Sequence, residues 1–250
     1  MTVTGATPAG AQNEDQAARW VRGMFGRIAP RYDLLNHVLS MNIDRYWRAH
    51  TAAAVSYILK RPDARALDLC CGTGDLMLAL AARGPARVLG SDFCHPMLVA
   101  ANSKARDRKK SCAVFESDAL ALPVESASLD LITLAFGFRN LANYTAGLGE
   151  FARVLKPGAA LAILEFSQPP NPLLSRLYNF YSESILPTVG GWISGSREAY
   201  TYLPESVRKF PGAEELARQM RECGFEDVRF ERLTAGIVAL HLGVRSGLRR

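Results

Sequence analysis

The amino-acid sequence predicts an α/β fold: a mostly parallel sheet flanked by helices and closed at one edge by an antiparallel hairpin. Two observations carry this. From residue 65 onward short apolar runs alternate with helical stretches, the signature of βαβ units. The last two apolar runs are separated only by "TA", too short for a helical crossover, so they must pair antiparallel. With 250 residues, 48% of them hydrophobic and 22% charged, the chain suits one well-buried core. No apolar run approaches the roughly 20 residues that a membrane-spanning helix needs.

Residues 1–14 lack both the basic region and the apolar block of a secretory signal and read as a flexible tail, which leaves 15–250 as a single domain. Trp20, Val21, Met24, Phe25 and Ile28 recur at helical spacing and Pro30 closes the segment, so residues 15–29 form an amphipathic helix. A second helical stretch carries Trp47, Val55, Ile58 and Leu59 up to Pro62, with Asp44 placed to cap it. Together, residues 15–62 make an N-terminal helical cap. Strands follow at "RALDLC", "RVLGSD", "AVFES", "LDLITLAF" and "ALAILEF", and the hairpin is "EDVRFERL" with "GIVALHLG". Between the fifth strand and the hairpin, residues 168–209 are too long for a simple loop. Leu173, Leu174, Leu177, Tyr178, Tyr181 and Ile185 share one helical face there, which predicts a helical lid over the carboxyl edge of the sheet, above an apolar substrate.

The net charge of +6 permits attraction to nucleic acid or to an anionic membrane. Much of it lies in two local runs, Arg106, Arg108, Lys109 and Lys110, and then Arg245, Arg249 and Arg250; each reads first as a solvated face or a basic tail. No extended basic-aromatic stripe is present, so nucleic acid is not an expected partner. The five cysteines, Cys70, Cys71, Cys94, Cys112 and Cys223, show no CxxC or Cys/His spacing. Neither a disulfide framework nor a metal site is expected, and a reducing cytoplasm fits.

Chemistry concentrates in "ALDLCCGTGDLMLAL". Asp68 and Leu69 end a buried strand, Gly72 and Gly74 make a turn, and Asp75 starts a helix, so free amides face whatever lies above the strand. A dinucleotide fingerprint would place glycine at position 77, where this chain has Met77. Asp75 at the helix start would cap the amides and repel a phosphate, whereas a zwitterionic amino-acid tail tolerates it. Asp92 ends the second strand, where a carboxylate accepts the ribose hydroxyls of an adenosine. Asp118 and Ala119 follow the third strand, where an adenine edge would lie. Thr73, Asp92 and Asp118 at successive strand ends favour S-adenosyl-L-methionine.

The stretches "RYDLLNHVLSMNIDRYW", "LDLCCGTGD", "FGFRNL" and "RVLKPGAALAILEFS", with "AYTYLPESVRKFP" and "AGIVALHLG", resemble the ubiquinone and menaquinone biosynthesis C-methyltransferase family. The resemblance implies the class I S-adenosylmethionine-dependent methyltransferase (Rossmann-like) fold, with a seven-stranded sheet ending in an antiparallel hairpin, N-terminal helices and a helical lid insertion. It implies C-methylation of a polyprenyl quinol, demethylmenaquinol to menaquinol, with the benzoquinol of ubiquinone biosynthesis as the alternative. Another small-molecule methyltransferase and a non-catalytic cofactor-binding scaffold stay open.

By resemblance, Thr73, Asp92, Asp118 and Ala119 bind the cofactor, with Asp68, Gly72, Gly74 and Ala135 around them, while Tyr32, Arg139 and Asn140 line the substrate site as the catalytic set. The chain departs from the family at Leu35, usually Met, and at Asp44, often His. Asp33, His37 and Asp44 are candidates for the proton acceptor by residue type alone. The implied setting is cytoplasmic, with transient contact to the inner membrane surface, where a prenylated substrate resides. A homodimer is compatible with all of this.

Overall fold

The computed structural model describes residues 5–180 and 197–247. Seven strands form one sheet: β1 (Arg65–Leu69), β2 (Arg87–Asp92), β3 (Ala113–Glu116), β4 (Leu129–Ala135), β5 (Leu155–Phe166), β6 (Phe225–Leu233) and β7 (Val238–Arg245). Their order is β3-β2-β1-β4-β5-β7-β6. The first five run parallel, while β7 pairs antiparallel with both β5 and β6, as the short "TA" link requires. β5 starts at Leu155, ahead of the expected Ala160, because Leu155 already pairs with Leu129 across a bulge. The chain order reverses between β1 and β4, so a crevice opens at their carboxyl ends, where ligands of open α/β sheets bind.

Helices in chain order are α1 (Glu14–Ile28), α2 (Tyr32–Leu39), α3 (Ile43–Ala54), α4 (Ser56–Leu59), α5 (Asp75–Ala81), α6 (His95–Asp107), α7 (Tyr144–Val154), α8 (Pro172–Phe180), α9 (Arg197–Lys209) and α10 (Ala213–Glu222). Alternation along the strands sends their side chains to two faces. On one, Leu67, Leu69, Ile132, Leu134 and Ile163 pack with Leu148 and Phe151 of α7 and Leu216 of α10. On the other, Ala66, Leu131, Ala162 and Leu164 meet Trp47 of α3 and Leu76 and Leu80 of α5. Each large side chain buried this way contributes about 1.5–3 kcal/mol. A third cluster joins Val21, Met24 and Ile28 of α1 to Met97 and Tyr202, which seats the N-terminal cap beside the sheet's carboxyl edge.

Several local expectations change. The α1 helix starts where expected because the Asn13 side chain accepts from the Gln16 amide. Asp44 does not cap α3: Asn42 is the N-cap, in a left-handed conformation, and the Asp44 carboxylate instead pairs with Arg48 one turn along. The segment expected as a flexible tail is partly packed. Gly5, Ala6 and Pro8 are buried, and the Ala6 amide donates to the Leu141 carbonyl at 2.7 Å. Arg245, grouped with a basic tail, holds the Leu155 carbonyl at 2.7 Å; Arg249 and Arg250 lie outside the described residues.

Within residues 168–209, expected as a lid, α8 and α9 are helical, as the apolar spacing predicts for α8. Leu174 borders an apolar cavity though 40% exposed, Leu173 is 66% exposed, and Tyr181 and Ile185 lie outside the described residues. Among the described residues no helix is long and apolar enough to cross a membrane.

Candidate active site

Two cavities adjoin above the carboxyl ends of β1, β2 and β4. The first encloses about 740 Å³, counting its open mouth. It is lined by Leu69, Cys70 and Gly72 after β1, Ser91 and Asp92 of β2, Ser117 to Leu120 after β3, and Phe136, Gly137 and Asn140 after β4. Its shape is set by backbone in the left-handed region. Gly72 and Gly74 have φ of +54° and +84°, which favours glycine, but Cys70 (+50°) and Phe136 (+61°) adopt such angles as well. Two non-glycine outliers flanking one cleft, costing on the order of 1–3 kcal/mol each, mark a conformation held in place by its surroundings. One such hold is the Phe136 amide, which donates to the Leu164 carbonyl at 2.9 Å. Another is Gly137: a Cβ there would lie 2.4 Å from that of Cys70, so only glycine lets the two loops meet.

Asp92 is 7% exposed at the cleft wall. Its two carboxylate oxygens accept from the Gly72 and Cys94 amides, both at 2.9 Å, which ties the glycine turn to the end of β2. Burial raises its pKa against those amide bonds, so further donors from a ligand would relieve an under-solvated carboxylate. Asp118 and Ala119 also line the cleft, Asp118 accepting from the Leu120 amide at 2.8 Å. The donor set therefore fits an adenosyl ligand: a carboxylate for vicinal hydroxyls, a small residue beside Asp118, and apolar walls from Phe25, Phe93 and Leu120.

Four expected cofactor residues do not line this cleft. Thr73 is buried and donates to Asp33, while Lys104 Nζ reaches Thr73 Oγ1 at 3.1 Å, Asp33 at 2.6 Å and Asp75 at 2.7 Å. Asp75 is thus balanced by Lys104 rather than capping α5, whose N-cap is Gly74 with no side-chain bond. The expectation that Asp75 repels a phosphate loses its basis. Gly74 shapes the turn from behind. Asp68 stands opposite Thr133 in register and accepts its hydroxyl at 2.7 Å; burial pushes its pKa up to about 7. Ala135 lies one residue short of the wall, which Phe136 forms instead.

The second cavity is larger, about 1660 Å³ with its mouth, and mostly apolar. Met24, Phe25 and Ile28 of α1, Trp47 of α3, Phe136, Phe166, Leu174 of α8 and Leu203 and Val207 of α9 line it. Tyr32, Phe25 and Phe136 belong to both cavities and form the wall between them. Arg139 opens onto this second cavity, 6% exposed. Its guanidinium donates to Glu165 Oε1 at 2.8 Å, to the Phe136 carbonyl at 2.5 Å and to Ser206 Oγ at 3.3 Å. Burial would lower its pKa, but the Glu165 carboxylate together with Tyr202 and Tyr32 outweighs that and raises it, so the charge is permanent. Asn140 lines the first cavity, its amide oxygen accepting from the Tyr202 hydroxyl at 3.1 Å.

The three candidate bases fare differently. Asp33 is committed to Thr73 and Lys104, and neither it nor His37 lines a cavity. Asp44 does; burial would raise its pKa, but Ser40, Arg48 and His37 overcome that and hold it below the usual range, which makes it a weak proton acceptor. The thiols of Cys70 and Cys71 are pushed well up by burial and are not nucleophilic.

Sequence reasoning missed Glu165, Arg48, Phe136, Phe166 and Tyr202. Glu165 had a signal: a lone carboxylate in the apolar strand "ALAILEF" demands a buried partner.

A family model described as the ubiE/COQ5 methyltransferase family matches residues 11–245. The chain is 49% identical to a demethylmenaquinone methyltransferase of Thermus thermophilus, over 89% of this chain and 100% of that protein. It is 46% identical to a ubiquinone/menaquinone biosynthesis C-methyltransferase UbiE of Syntrophotalea carbinolica, over 90% and 94%. Among solved structures it resembles an S-adenosylmethionine-dependent methyltransferase of Thermotoga maritima, a possible histamine N-methyltransferase, with TM-score 0.62 at 18% identity over 90% and 99% of the two chains. At that identity the likeness speaks for the fold, the Rossmann-like class expected from the sequence.

Proposed function

The chain belongs to the ubiE/COQ5 methyltransferase family, and from that membership we propose that it methylates a ring carbon of a polyprenyl quinol, converting demethylmenaquinol to menaquinol. It is an S-adenosylmethionine-dependent C-methyltransferase of quinone biosynthesis. The observation that carries the substrate reading is the apolar cavity that shares a wall with the cleft proposed for the cofactor and onto which the fixed cation Arg139 opens.

S-adenosylmethionine, when bound, supplies an electrophilic methyl group. Asp92 would hold the ribose hydroxyls, Asp118 and Ala119 would flank the adenine, and the glycine turn would let the ligand lie against backbone. The rest of the work is done on the quinol. A ring carbon becomes nucleophilic when a neighbouring hydroxyl loses its proton, and Arg139, charged and unable to act as a base, stabilises the phenolate. Burial raises the Tyr32 phenol, so it stays protonated and donates a hydrogen bond from the shared wall. With Asp33, His37 and Asp44 all poorly placed, the hydroxyl proton leaves through water ordered by Asn140 and Tyr32; once the methyl is on the ring, the hydrogen of that carbon leaves as a proton by the same water, aromaticity returns and the phenolate oxygen is reprotonated, so one proton is released in all. Holding both reactants on one wall is worth roughly 7–11 kcal/mol of the barrier, so positioning dominates.

A prenyl tail keeps its substrate in the bilayer, so the protein visits the membrane surface. Supporting this, Leu34, Val38 and Met41 are exposed at helical spacing around α2, and Met41, 73% exposed, borders the apolar cavity. The test of function is purified protein with methyl-labelled S-adenosylmethionine and short-tailed demethylmenaquinol or its benzoquinol counterpart. Label in the naphthoquinol extract is expected; label only in the benzoquinol would reassign the ring, and label in neither would end the proposal.

A further inference from the structure

Arg48 and Arg139 stand in matching settings within the apolar cavity. Both line it, and each is paired with its own buried carboxylate, Asp44 for Arg48 and Glu165 for Arg139. Each guanidinium lies 5.3 Å from the centre of a phenyl ring, Arg48 over Phe136 and Arg139 over Phe166. Those two rings are neighbours, with centroids 4.8 Å apart. The cavity thus has an aromatic floor of two rings with a cation over each, and Tyr32 feels the charge of both.

The reaction as described uses only Arg139. A second ion pair in an apolar cavity is not there for stability, since well-packed apolar residues of similar volume would serve as well or better. Its construction is also specific. Ser40 and His37 hold the Asp44 carboxylate, at 2.7 Å and 3.1 Å, and Asp44 holds one guanidinium nitrogen of Arg48. Among the described residues Asp44 is the one acceptor of an Arg48 hydrogen bond, so the remaining donors of the fork are left for a ligand. A hydroquinone has two oxygens on opposite sides of a flat ring.

We propose that Arg48, oriented by Asp44, takes the second oxygen of the quinol, across the ring from the oxygen that Arg139 stabilises. The ring is gripped at both ends and recognised as a 1,4-diol. This rests on the quinol-methylation reading and adds a specificity residue to it.

The experiment compares short-tailed demethylmenaquinol with its mono-methyl ether, in which the hydroxyl beside the methylated carbon is free and the far hydroxyl is blocked. Wild-type protein is expected to prefer the diol in kcat/KM by roughly ten- to hundredfold, the worth of one charge-assisted hydrogen bond. In Arg48→Met the diol loses a similar factor, mainly through KM, and the preference shrinks to about threefold or less, while the Kd for S-adenosylmethionine stays unchanged. Because Arg48→Met leaves Asp44 buried without its partner, the pair is also removed together in Asp44→Asn/Arg48→Met, which must lose the preference too. A wild type indifferent to the blocked hydroxyl, or variants that lose activity on both substrates equally and keep the preference, would overturn the assignment of Arg48 alone. A wild type that binds the cofactor and methylates neither compound would instead remove the quinol reading, and this inference with it.

Discussion

Replacing His241 with glutamine is expected to make the protein gain stability on acidification from pH 7.5 to pH 5, a range over which the wild type stays nearly level. His241 lies in β7, 2% exposed, with Nε2 donating to the Ala213 carbonyl at 2.8 Å and Nδ1 without a partner. A second ring proton would gain little from the backbone around it, and burial, outweighing that, pushes the pKa down from 6.5 to about 4. The unfolded chain therefore binds the proton first, so the stability present above pH 6.5 is lost as the pH falls toward 4. At 1.36 kcal/mol per pKa unit, His241 costs about 2 kcal/mol between pH 7.5 and pH 5 and roughly 3 kcal/mol in all.

Asp68 acts in the opposite sense. Its pKa is raised by burial from 3.8 to about 7, so the folded chain binds that proton first and gains about 2.5 kcal/mol over the same range. Asp92, also raised by burial, adds in the same direction. The two large contributions nearly cancel in the wild type. His241→Gln leaves Asp68 unopposed, and Asp68→Asn leaves His241 opposed only by Asp92, so that variant loses up to about 2 kcal/mol on acidification. Urea unfolding followed by far-ultraviolet circular dichroism at four pH values and constant ionic strength reads both slopes. A His241→Gln protein whose pH slope matches the wild type would refute the account of the buried ring.

Asp92→Asn is expected to weaken S-adenosylmethionine binding by about 1.5–3 kcal/mol, ten- to hundredfold in Kd, since one charged acceptor becomes a donor facing a backbone amide; an unchanged Kd by calorimetry in a folded protein would rule out its ribose contact. Arg139→Lys keeps the charge but cannot serve Glu165, Phe136 and Ser206 together, so both stability, by about 1.5–3 kcal/mol, and kcat, by roughly 10²–10³, are expected to fall. Near-normal kcat well below the melting temperature would refute the guanidinium's geometric role, and calorimetry is expected to find cofactor affinity retained. Binding to anionic vesicles at low salt is expected to be weak, salt-released, and reduced in Leu34→Glu/Val38→Glu, with turnover of short-tailed substrate intact; sedimentation equal to the wild type would place the membrane contact elsewhere.

Strand ends were legible in the sequence because their signals are local. Apolar alternation sets each strand, a parallel register aligns their carboxyl ends, and whatever follows them, Gly72, Asp92, Asp118 or Asn140, arrives at the same crevice. The hairpin was legible for the same reason, since a link too short for a helical crossover leaves only one way to pair. Thr73 shows the limit of that logic. It sits in the same motif as Gly72, yet the turn directs its hydroxyl backward into a network with Asp33 and Lys104, residues on helices 40 and 31 positions away in sequence.

By itself, the sequence determined the α/β class, the antiparallel edge and the meeting of Gly72, Asp92 and Asp118 at one cleft, all consequences of period, link length and turn chemistry. Only the tertiary structure decided the second cavity. Its walls come from α1, α2, α3, α8, α9 and the ends of β4 and β5, and no periodicity within any one of them says which side chains will face each other. Arg48 and Arg139, 91 residues apart, become counterparts because Phe136 follows β4 and Phe166 ends the neighbouring parallel β5, so the two rings lie side by side. Helix propensity and strand pattern are properties of a few consecutive residues; a cavity is what remains after distant elements have packed, and its chemistry is fixed by which of them meet.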